Sequence, residues 1–231
     1  MPSLYDITPF SLLDYPNEMS CIVWFAGCNM RCQYCHNPAI VNAKGDKDEA
    51  ELLAFLEKRV GKLTAVVFSG GEATLYPQLP DLIHRVKAMG FKIKLDTNGS
   101  RPEVIRGLLA EGLLDYVAMD FKCPPEKAEG LIGTAKLFAP FQESLAILIA
   151  AASNNITLEV RTTVHPDLLD EKDIAWMIAL LDEAGYKGTY YLQNIASTGE
   201  KTIGNIAPPS RELDRALIPQ PKGFKLAYRN F

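Results

Sequence analysis

Short apolar runs with strand character recur six times along the chain, and segments with helical spacing separate them. The six runs occupy residues 21–26, 64–68, 91–95, 116–119, 157–164 and 189–192. Four of the intervening segments repeat apolar residues every three or four positions, which predicts helices. Their apolar sets are Leu52, Leu53, Leu56 and Val60; Leu79, Leu82, Ile83 and Val86; Val104, Ile105, Leu108 and Leu109; and Ile174, Met177, Ile178 and Leu181. Alternating strands and helices predict parallel strands joined by right-handed crossovers.

Residues that favour helix ends support two of these helices. Ser100 with Glu103 predicts a capping box at the start of the third helix, and Gly112 is placed to end it. Asp170 is a suitable N-cap for the fourth helix, and Gly185 is placed to end that one.

The six strand–helix units predict an α/β fold whose parallel strands form an incomplete barrel, a partial (β/α)6 barrel. A full barrel of eight units typically takes about 250 residues, and this chain has 231. A flat, doubly wound sheet stays open as an alternative. Prolines at 208, 209, 219 and 221 indicate a C-terminal tail from about residue 205. We therefore expect residues 1–231 to form a single domain with that tail.

Composition and charge exclude several classes of protein. Hydrophobic residues make up 48% of the chain, enough for a large core. The net charge of -4, without a basic stripe, argues against nucleic-acid binding. No apolar run approaches the roughly 18 residues of a membrane span, and residues 1–13 lack the pattern of a secretory signal. We expect a cytoplasmic protein that binds neither nucleic acid nor membrane.

Three of the five cysteines lie in one short stretch, with the spacing Cys28-x3-Cys32-x2-Cys35. An odd number of clustered thiols argues against a disulfide framework and fits a reducing cytoplasm. Cys21 lies in a predicted strand and Cys123 follows one, so we expect both to be buried as small hydrophobic side chains. The triplet lies among polar residues, where burial in a core does not explain it.

The spacing of the triplet favours an iron–sulfur cluster over zinc. Structural zinc usually takes four ligands from two separated pairs, whereas here His36 follows Cys35 directly and Cys123 is distant. Three thiolates on a four-iron cluster leave one iron without a protein ligand. A small molecule with a carboxylate and an amine could chelate that iron, and S-adenosylmethionine, a cofactor of radical chemistry, is such a molecule.

The triplet, with Tyr34 before its last cysteine, resembles the signature of the radical S-adenosylmethionine (radical SAM) superfamily. The resemblance implies a full or partial βα barrel, in agreement with the six predicted units. It also implies that Cys28, Cys32 and Cys35 hold a 4Fe-4S cluster whose open iron binds the methionyl end of S-adenosylmethionine. Tyr34 would then lie near the adenine.

Two glycine-containing motifs follow the second and third predicted strands. The motif "SGGE" could be a plain turn, but the resemblance implies that the backbone of Gly70, Gly71 and Glu72 binds the methionyl amino group. Residues without a Cβ allow a main chain to approach a ligand closely. The motif "DTNG" is also a strong turn signal. The resemblance assigns its Asp96, supported by the Thr97 carbonyl, to the ribose and to a monovalent cation.

Charged residues close the fourth and fifth predicted strands. In "MDFK" the resemblance assigns Lys122 to the cofactor carboxylate and Asp120 to the cation site; the alternative is a local ion pair at a strand end. Arg161 in "EVRTTVHP" is a cation inside an apolar strand, where an unpaired charge is costly. The resemblance takes Arg161 to the ribose or adenosyl region. On the sixth strand, Gln193 or Asn194 would replace a histidine that some relatives place near the ribose.

The wider resemblance is to activating enzymes of glycyl radical enzymes, through "LLDYP", "YCHNP", "LDTNGSRPEV" and "LLDYVAMDFK". Among them, the chain particularly resembles the activating proteins of anaerobic ribonucleoside-triphosphate reductase. The resemblance implies an oxidoreductase that receives an electron from a flavodoxin or ferredoxin-type donor and cleaves S-adenosylmethionine reductively. The 5′-deoxyadenosyl radical would abstract a glycine α-hydrogen from a partner glycyl radical enzyme, for which anaerobic ribonucleotide reductase is the expectation.

Two other functions remain open at this point. A short radical SAM enzyme could act on a small molecule, as 7-carboxy-7-deazaguanine synthases do, because barrel folds support many chemistries. A protein that only carries electrons is the other alternative. A ferredoxin would need a fully ligated cluster, however, and three cysteines argue against it.

Overall fold

The computed structural model describes residues 3–35, 37–153, 156–195 and 202–231. Across these residues eight strands form one sheet, in which the spatial order is the order along the chain. The strands are β1 (Ser3–Ser11), β2 (Ser20–Ala26), β3 (Ala65–Gly70), β4 (Lys92–Thr97), β5 (Tyr116–Asp120), β6 (Thr157–Val164), β7 (Thr189–Asn194) and β8 (Lys225–Arg229). The helices are α1 (Pro38–Asn42), α2 (Glu49–Glu57), α3 (Leu79–Ala88), α4 (Pro102–Ala110), α5 (Pro125–Ile132), α6 (Phe138–Ala152) and α7 (Glu171–Glu183), with short 3-10 helices at Ala73–Leu75 and Arg215–Leu217.

The strands from β2 to β8 run parallel to their neighbours, and β1 pairs antiparallel with β2. The six predicted strands correspond to β2 through β7, which confirms the α/β prediction. A doubly wound sheet would reverse its strand order at a switch point. This sheet keeps chain order throughout, as the wall of a barrel does. The fold is therefore a partial barrel with β1 and β8 at its two edges.

The two faces of the sheet differ in chemistry because successive side chains of a strand point to opposite sides. The outer face is apolar, and residues such as Phe68 and Leu95 pack with the helices into one large buried cluster. The inner face carries a smaller apolar cluster that includes Val67. It also carries Lys94 and Glu159, which are 2% and 3% exposed. The barrel interior is therefore partly ionic, and these charges lie below the carboxyl ends of the strands.

One predicted helix cap is correct and the other is wrong, although both helices form where the sequence predicts them. Asp170 caps α7, since its carboxylate accepts from the amide of Asp173 at 3.0 Å while the Asp173 carboxylate accepts from the amide of Asp170. Ser100 does not cap α4, which begins at Pro102 without a side-chain cap. The Ser100 hydroxyl instead accepts from the side-chain amide of Asn29 at 2.8 Å. A tertiary hydrogen bond to the cysteine stretch therefore replaces the local one.

The sequence patterns missed β1, β8, α1, α5 and α6. Strand β1 contains Pro9, which argues against a strand but is tolerated at a sheet edge. Strand β8 lies within the segment expected to be a tail, and it pairs in parallel with β7. Helix α6 is the longest, with 15 residues. Within the described ranges, no helix is long and apolar enough to cross a membrane.

Candidate active site

A cavity of about 210 Å³ opens at the carboxyl ends of the strands. All twelve residues that the sequence assigned to the site line it: Cys28, Cys32, Tyr34, Cys35, Gly70, Gly71, Glu72, Asp96, Thr97, Asp120, Lys122 and Arg161. The sequence patterns missed the other residues lining this cavity, which are Met30, Asn37, Val41, Ser69, Asn98 and Thr163. Motifs that are up to 133 positions apart in the chain thus meet in one place, because every parallel strand brings its carboxyl end to the same edge.

The cysteine loop, residues 27–35, is held by the carboxyl end of α5. The amide of Arg31 donates to the Ile132 carbonyl at 2.8 Å, and the amide of Gln33 donates to the Leu131 carbonyl at 2.9 Å. The last carbonyls of a helix have no partner within the helix, so the loop and α5 satisfy each other. The Arg31 guanidinium also donates to the Cys28 carbonyl at 2.8 Å. The shape of the loop is therefore fixed by protein contacts.

The three thiols of the triplet form a donor set suited to a cluster. Burial raises the pKa of Cys28 to about 12 and raises that of Cys32, so a metal must replace protons to bind there. Among the described residues, no group of three or more His, Cys, Asp or Glu side chains is arranged to hold a single metal ion. A four-iron cluster needs separated sulfurs, because each thiolate binds a different iron. Cys123 is buried and does not line the cavity.

The two glycines of "SGGE" allow β3 to end directly against the cysteine loop. A Cβ on Gly70, whose φ is +127°, would lie 2.3 Å from the backbone nitrogen of Phe25. A Cβ on Gly71 would lie 2.1 Å from the Gly27 carbonyl oxygen and 3.3 Å from the Cys28 Cβ. The amide of Glu72 donates to the same Gly27 carbonyl at 2.9 Å. These positions require glycine for close approach, which a plain turn would not, and they form a backbone cradle beside the thiols.

The Glu72 side chain joins the ends of β3 and β4. Its carboxylate accepts from the amide of Thr74 at 3.1 Å, from the Thr97 hydroxyl at 2.8 Å and from the amide of Asn98 at 2.7 Å. It is 2% exposed, and burial raises its pKa. The side chain therefore holds the two strand ends together, and the backbone of the motif is the part available to a ligand.

Ion pairs link the charged residues of β4, β5 and β6 across the cavity. Arg161 donates from Nε to Asp120 at 3.0 Å and lies 3.4 Å from Asp96. Lys122 pairs with the other oxygen of Asp120 at 3.0 Å, so the local ion pair considered as an alternative exists and also faces the cavity. Burial alone would raise the pKa of Asp120, but Arg161 and Lys122 lower it to about 2. The site therefore holds fixed charges.

Below this layer lie two ionic residues that sequence reasoning missed. The Lys94 ammonium bonds Asp96. Glu159 accepts from the Tyr116 hydroxyl at 2.6 Å and pairs with Arg229 at 3.2 Å. A signal was present, since Lys94 precedes Asp96 by two positions and Glu159 precedes Arg161 by two. A charge at every second position of an apolar strand indicates an ionic inner face.

The remaining predicted contacts divide between two places. Tyr34 is 3% exposed, and its hydroxyl donates to the Lys122 carbonyl at 3.1 Å, so the ring forms part of the cavity wall. Gln193 and Asn194 are not among the described residues that line this cavity. Asn194 lines a separate depression with Arg211 and Arg215. The candidate replacements for the sixth-strand histidine thus lie outside the cavity.

Together, the chain-order barrel wall and the three-thiol loop beside a glycine cradle define the class of barrel proteins that carry a cluster at the carboxyl edge of a parallel sheet. The sequence model of the Radical SAM superfamily matches residues 22–178, which include the loop and the strands from β3 to β6. This chain belongs to the radical SAM superfamily.

Within this superfamily, the chain is similar in sequence to three curated relatives of stated function. A protein of Methanocaldococcus jannaschii, proposed as a glycyl-radical enzyme activating enzyme, is 35% identical over 73% of this chain and 70% of its own length. The pyruvate formate-lyase-activating enzyme of Clostridium pasteurianum is 29% identical over 75% of this chain and 73% of its own. The 7-carboxy-7-deazaguanine synthase of Methanopyrus kandleri is 32% identical but aligns with 48% of this chain and 52% of its own length.

A solved structure supports the fold. Streptococcus suis SuiB bound to S-adenosylmethionine superposes with a TM-score of 0.62 at 12% identity. The match covers 88% of this chain and 48% of SuiB, so this chain spans about half the length of that protein. At this identity the likeness concerns the barrel alone.

Proposed function

We propose that this protein is a radical SAM activase, an oxidoreductase that installs a glycyl radical in a partner enzyme. The observation that carries the proposal is a cavity lined by three cysteine thiols and no fourth described cysteine, beside a backbone cradle that excludes any Cβ. The similarity of this chain to two proteins described as activating enzymes, over about three quarters of its length, supports the activase assignment. We further propose that residues 1–231 form one domain, with β8 in the segment after residue 205.

In this proposal the triplet Cys28, Cys32 and Cys35 holds a 4Fe-4S cluster with one iron left for S-adenosylmethionine. When bound, these two groups supply one-electron chemistry that ends in removal of a hydrogen atom from a glycine α-carbon. The backbone of Gly70 and Gly71 receives the methionyl amino group. The protein's task is to orient the cofactor and to exclude water from the reacting atoms.

In this proposal the charged residues of the cavity determine the orientation in which the cofactor binds. Lys122 is a fixed cation in the cavity wall and receives the cofactor carboxylate. Asp96 and Arg161 lie on the neighbouring wall, toward the ribose, and Asp120 holds Arg161 and Lys122 in position. The Thr97 hydroxyl is used by Glu72, so its backbone is the part offered to the cofactor. Tyr34 supplies an apolar surface for the adenine.

The partner in this proposal is a protein that presents a glycine in an extended loop. Strands β1 and β8 are not paired with each other, so the barrel wall is open on one side and could admit such a loop. Anaerobic ribonucleoside-triphosphate reductase is the proposed partner, because the motifs around the cysteine loop and β4 resemble those of its activating proteins. A flavodoxin or ferredoxin-type protein is the proposed electron donor. The five free cysteines suit a reducing cytoplasm.

Anaerobic reconstitution with iron and sulfide, followed by reduction, tests the proposal. We expect S-adenosylmethionine to be cleaved to methionine and 5′-deoxyadenosine, and a glycyl radical signal in electron paramagnetic resonance once the partner reductase is added. Cys28→Ala should abolish both, and Cys21→Ala, a matched change at a buried cysteine of β2, should abolish neither. Cleavage without any radical on a glycyl radical enzyme would contradict the activase assignment.

A small-molecule reaction is the second candidate, and one observation favours it. The 7-carboxy-7-deazaguanine synthase of Methanopyrus kandleri aligns with 48% of this chain at 32% identity. Formation of 7-carboxy-7-deazaguanine by the reconstituted protein, with no glycyl radical formed, would support this candidate. The longer alignment with the activating enzymes is our reason for ranking it second.

A further inference from the structure

Lys94 is a buried lysine that points into the barrel below the candidate site. The residue is 2% exposed, and its ammonium bonds Asp96 and lies 5.4 Å from the centroid of the Tyr116 ring. A buried ammonium without a counter-charge would be very costly. Asp96 is the one carboxylate with which Lys94 forms an ion pair among the described residues. Lys94 therefore depends on Asp96, and part of the Asp96 charge is used to compensate it.

All four oxygens of Asp96 and Asp120 face a cationic nitrogen. One oxygen of Asp96 bonds Lys94, and the other lies 3.4 Å from Arg161 and accepts from the Ser69 hydroxyl at 3.2 Å. The oxygens of Asp120 pair with Arg161 and Lys122, each at 3.0 Å. These are the two carboxylates to which the family resemblance assigned a monovalent cation. An inorganic ion would have to displace a side-chain cation or be added beside it.

The cations already present also disfavour an added ion. The ion-paired network contains three carboxylates, those of Asp96, Asp120 and Glu159. It contains four cations, those of Lys94, Lys122, Arg161 and Arg229. A sodium or potassium ion at Asp96 or Asp120 would lie beside the side-chain cations that already face all four oxygens, and like charges at close range repel.

We infer that the Lys94 ammonium, together with Arg161, takes the place of a monovalent metal ion at Asp96, so that S-adenosylmethionine binds without sodium or potassium. The inference rests on the proposed function, because it concerns the same cofactor in the same cavity. It makes Lys94 a positioning residue, which acts on the cofactor through Asp96.

The first test uses the unaltered protein with its cluster reconstituted. The dissociation constant of S-adenosylmethionine is measured by equilibrium dialysis in sodium, potassium and tetramethylammonium chloride at one fixed ionic strength. We expect the three values to agree within about twofold, since the salts then screen charges equally. Thallium-205 nuclear magnetic resonance, with thallium as a probe of potassium sites, should show no saturable binding. A dissociation constant that falls with sodium or potassium in a saturable way would overturn the inference.

The second test removes the ammonium group of Lys94 by substitution. In Lys94→Met the side chain ends one atom short of the ammonium, so the charge is lost and space for an ion is left. We expect S-adenosylmethionine to bind about tenfold more weakly or worse in tetramethylammonium, because the Asp96 charge loses a buried partner. Potassium or ammonium, each of which fits the space of a single atom, should restore the affinity. Lys92→Met is the matched control: its ammonium pairs with Glu18 at 2.5 Å on a side chain that is 56% exposed, and it should behave as the unaltered protein.

The outcomes separate this inference from the proposed function. If Lys94→Met binds the cofactor normally in tetramethylammonium, or if no cation restores its affinity, the inference is wrong and the proposed function stands. If the unaltered protein binds S-adenosylmethionine in none of the three salts, the proposed function fails and this inference fails with it. The salt comparison on the unaltered protein decides the question even if Lys94→Met does not fold.

Discussion

Replacing Gly71 by alanine would separate the end of β3 from the cysteine loop. The new Cβ would lie 2.1 Å from the Gly27 carbonyl oxygen, whereas ordinary contact begins at 3.4 Å, so the loop must move by more than 1 Å. The clash cannot be relieved by rotating a side chain, because the new methyl group is fixed to the backbone and its nearest neighbours are the backbone carbonyl atoms of Gly27. The displacement also stretches the 2.9 Å hydrogen bond from the Glu72 amide to the same carbonyl. Overpacking typically costs about 1–3 kcal/mol, and a lost hydrogen bond adds about 1 kcal/mol.

The assay compares Gly71→Ala with Gly107→Ala, which adds the same methyl group to α4 in open space. In Gly71→Ala we expect the midpoint temperature of thermal unfolding of the apoprotein to fall, by about 2–4 °C for each kcal/mol of lost stability in a chain of this size. Reconstituted iron should fall several-fold, because Cys28 follows the displaced carbonyl directly. Gly107→Ala should bind a full complement of iron and gain up to about 1 kcal/mol of stability. Full iron content and normal cofactor affinity in Gly71→Ala would refute the account of the cradle.

Three further results are expected. Alanine at Cys123 should preserve the cluster, measured as iron and sulfide per chain, because this thiol does not line the cavity; loss of the cluster would show that the ligand count is wrong. The pKa of Asp120 is lowered in the folded protein from 3.8 to about 2, so its contribution of about 2 kcal/mol is present above pH 4 and is lost as the pH falls toward 2. Urea unfolding of the apoprotein should show that loss, Asp120→Asn should not, and identical pH profiles would contradict the ion-pair assignment. Glu72→Gln should destabilise the apoprotein by about 1–3 kcal/mol, because an amide nitrogen would face buried donors; unchanged stability would mean that the carboxylate does not hold the strand ends.

The sequence could predict the parts of the site that depend on local order along the chain. Three cysteines within eight positions and a glycine pair after a strand are local signals. Parallel strands then bring such signals to one edge without further information. The family resemblance supplied the roles of individual residues, and through it residues as distant as Cys28 and Arg161 were assigned to one cavity.

Other features depend on contacts between distant segments and could not be predicted. Ser100 has the sequence of a helix cap but bonds Asn29, because the cysteine loop offers it a partner 71 positions away. The ionic role of Lys94 and Glu159 depends on which face of the sheet turns inward, and that is set by how the sheet closes. Strand β8 pairs with β7 although prolines precede it.

The central claim is that three cysteines hold the cluster and that its remaining iron binds S-adenosylmethionine. Electron–nuclear double resonance on the reduced cluster, with cofactor labelled by 15N in the amino group and 17O in the carboxylate, tests this claim most directly. The account predicts that both labels couple to one iron of the cluster. Absence of both couplings, or a protein side chain bound to that iron while the cofactor is present, would contradict it.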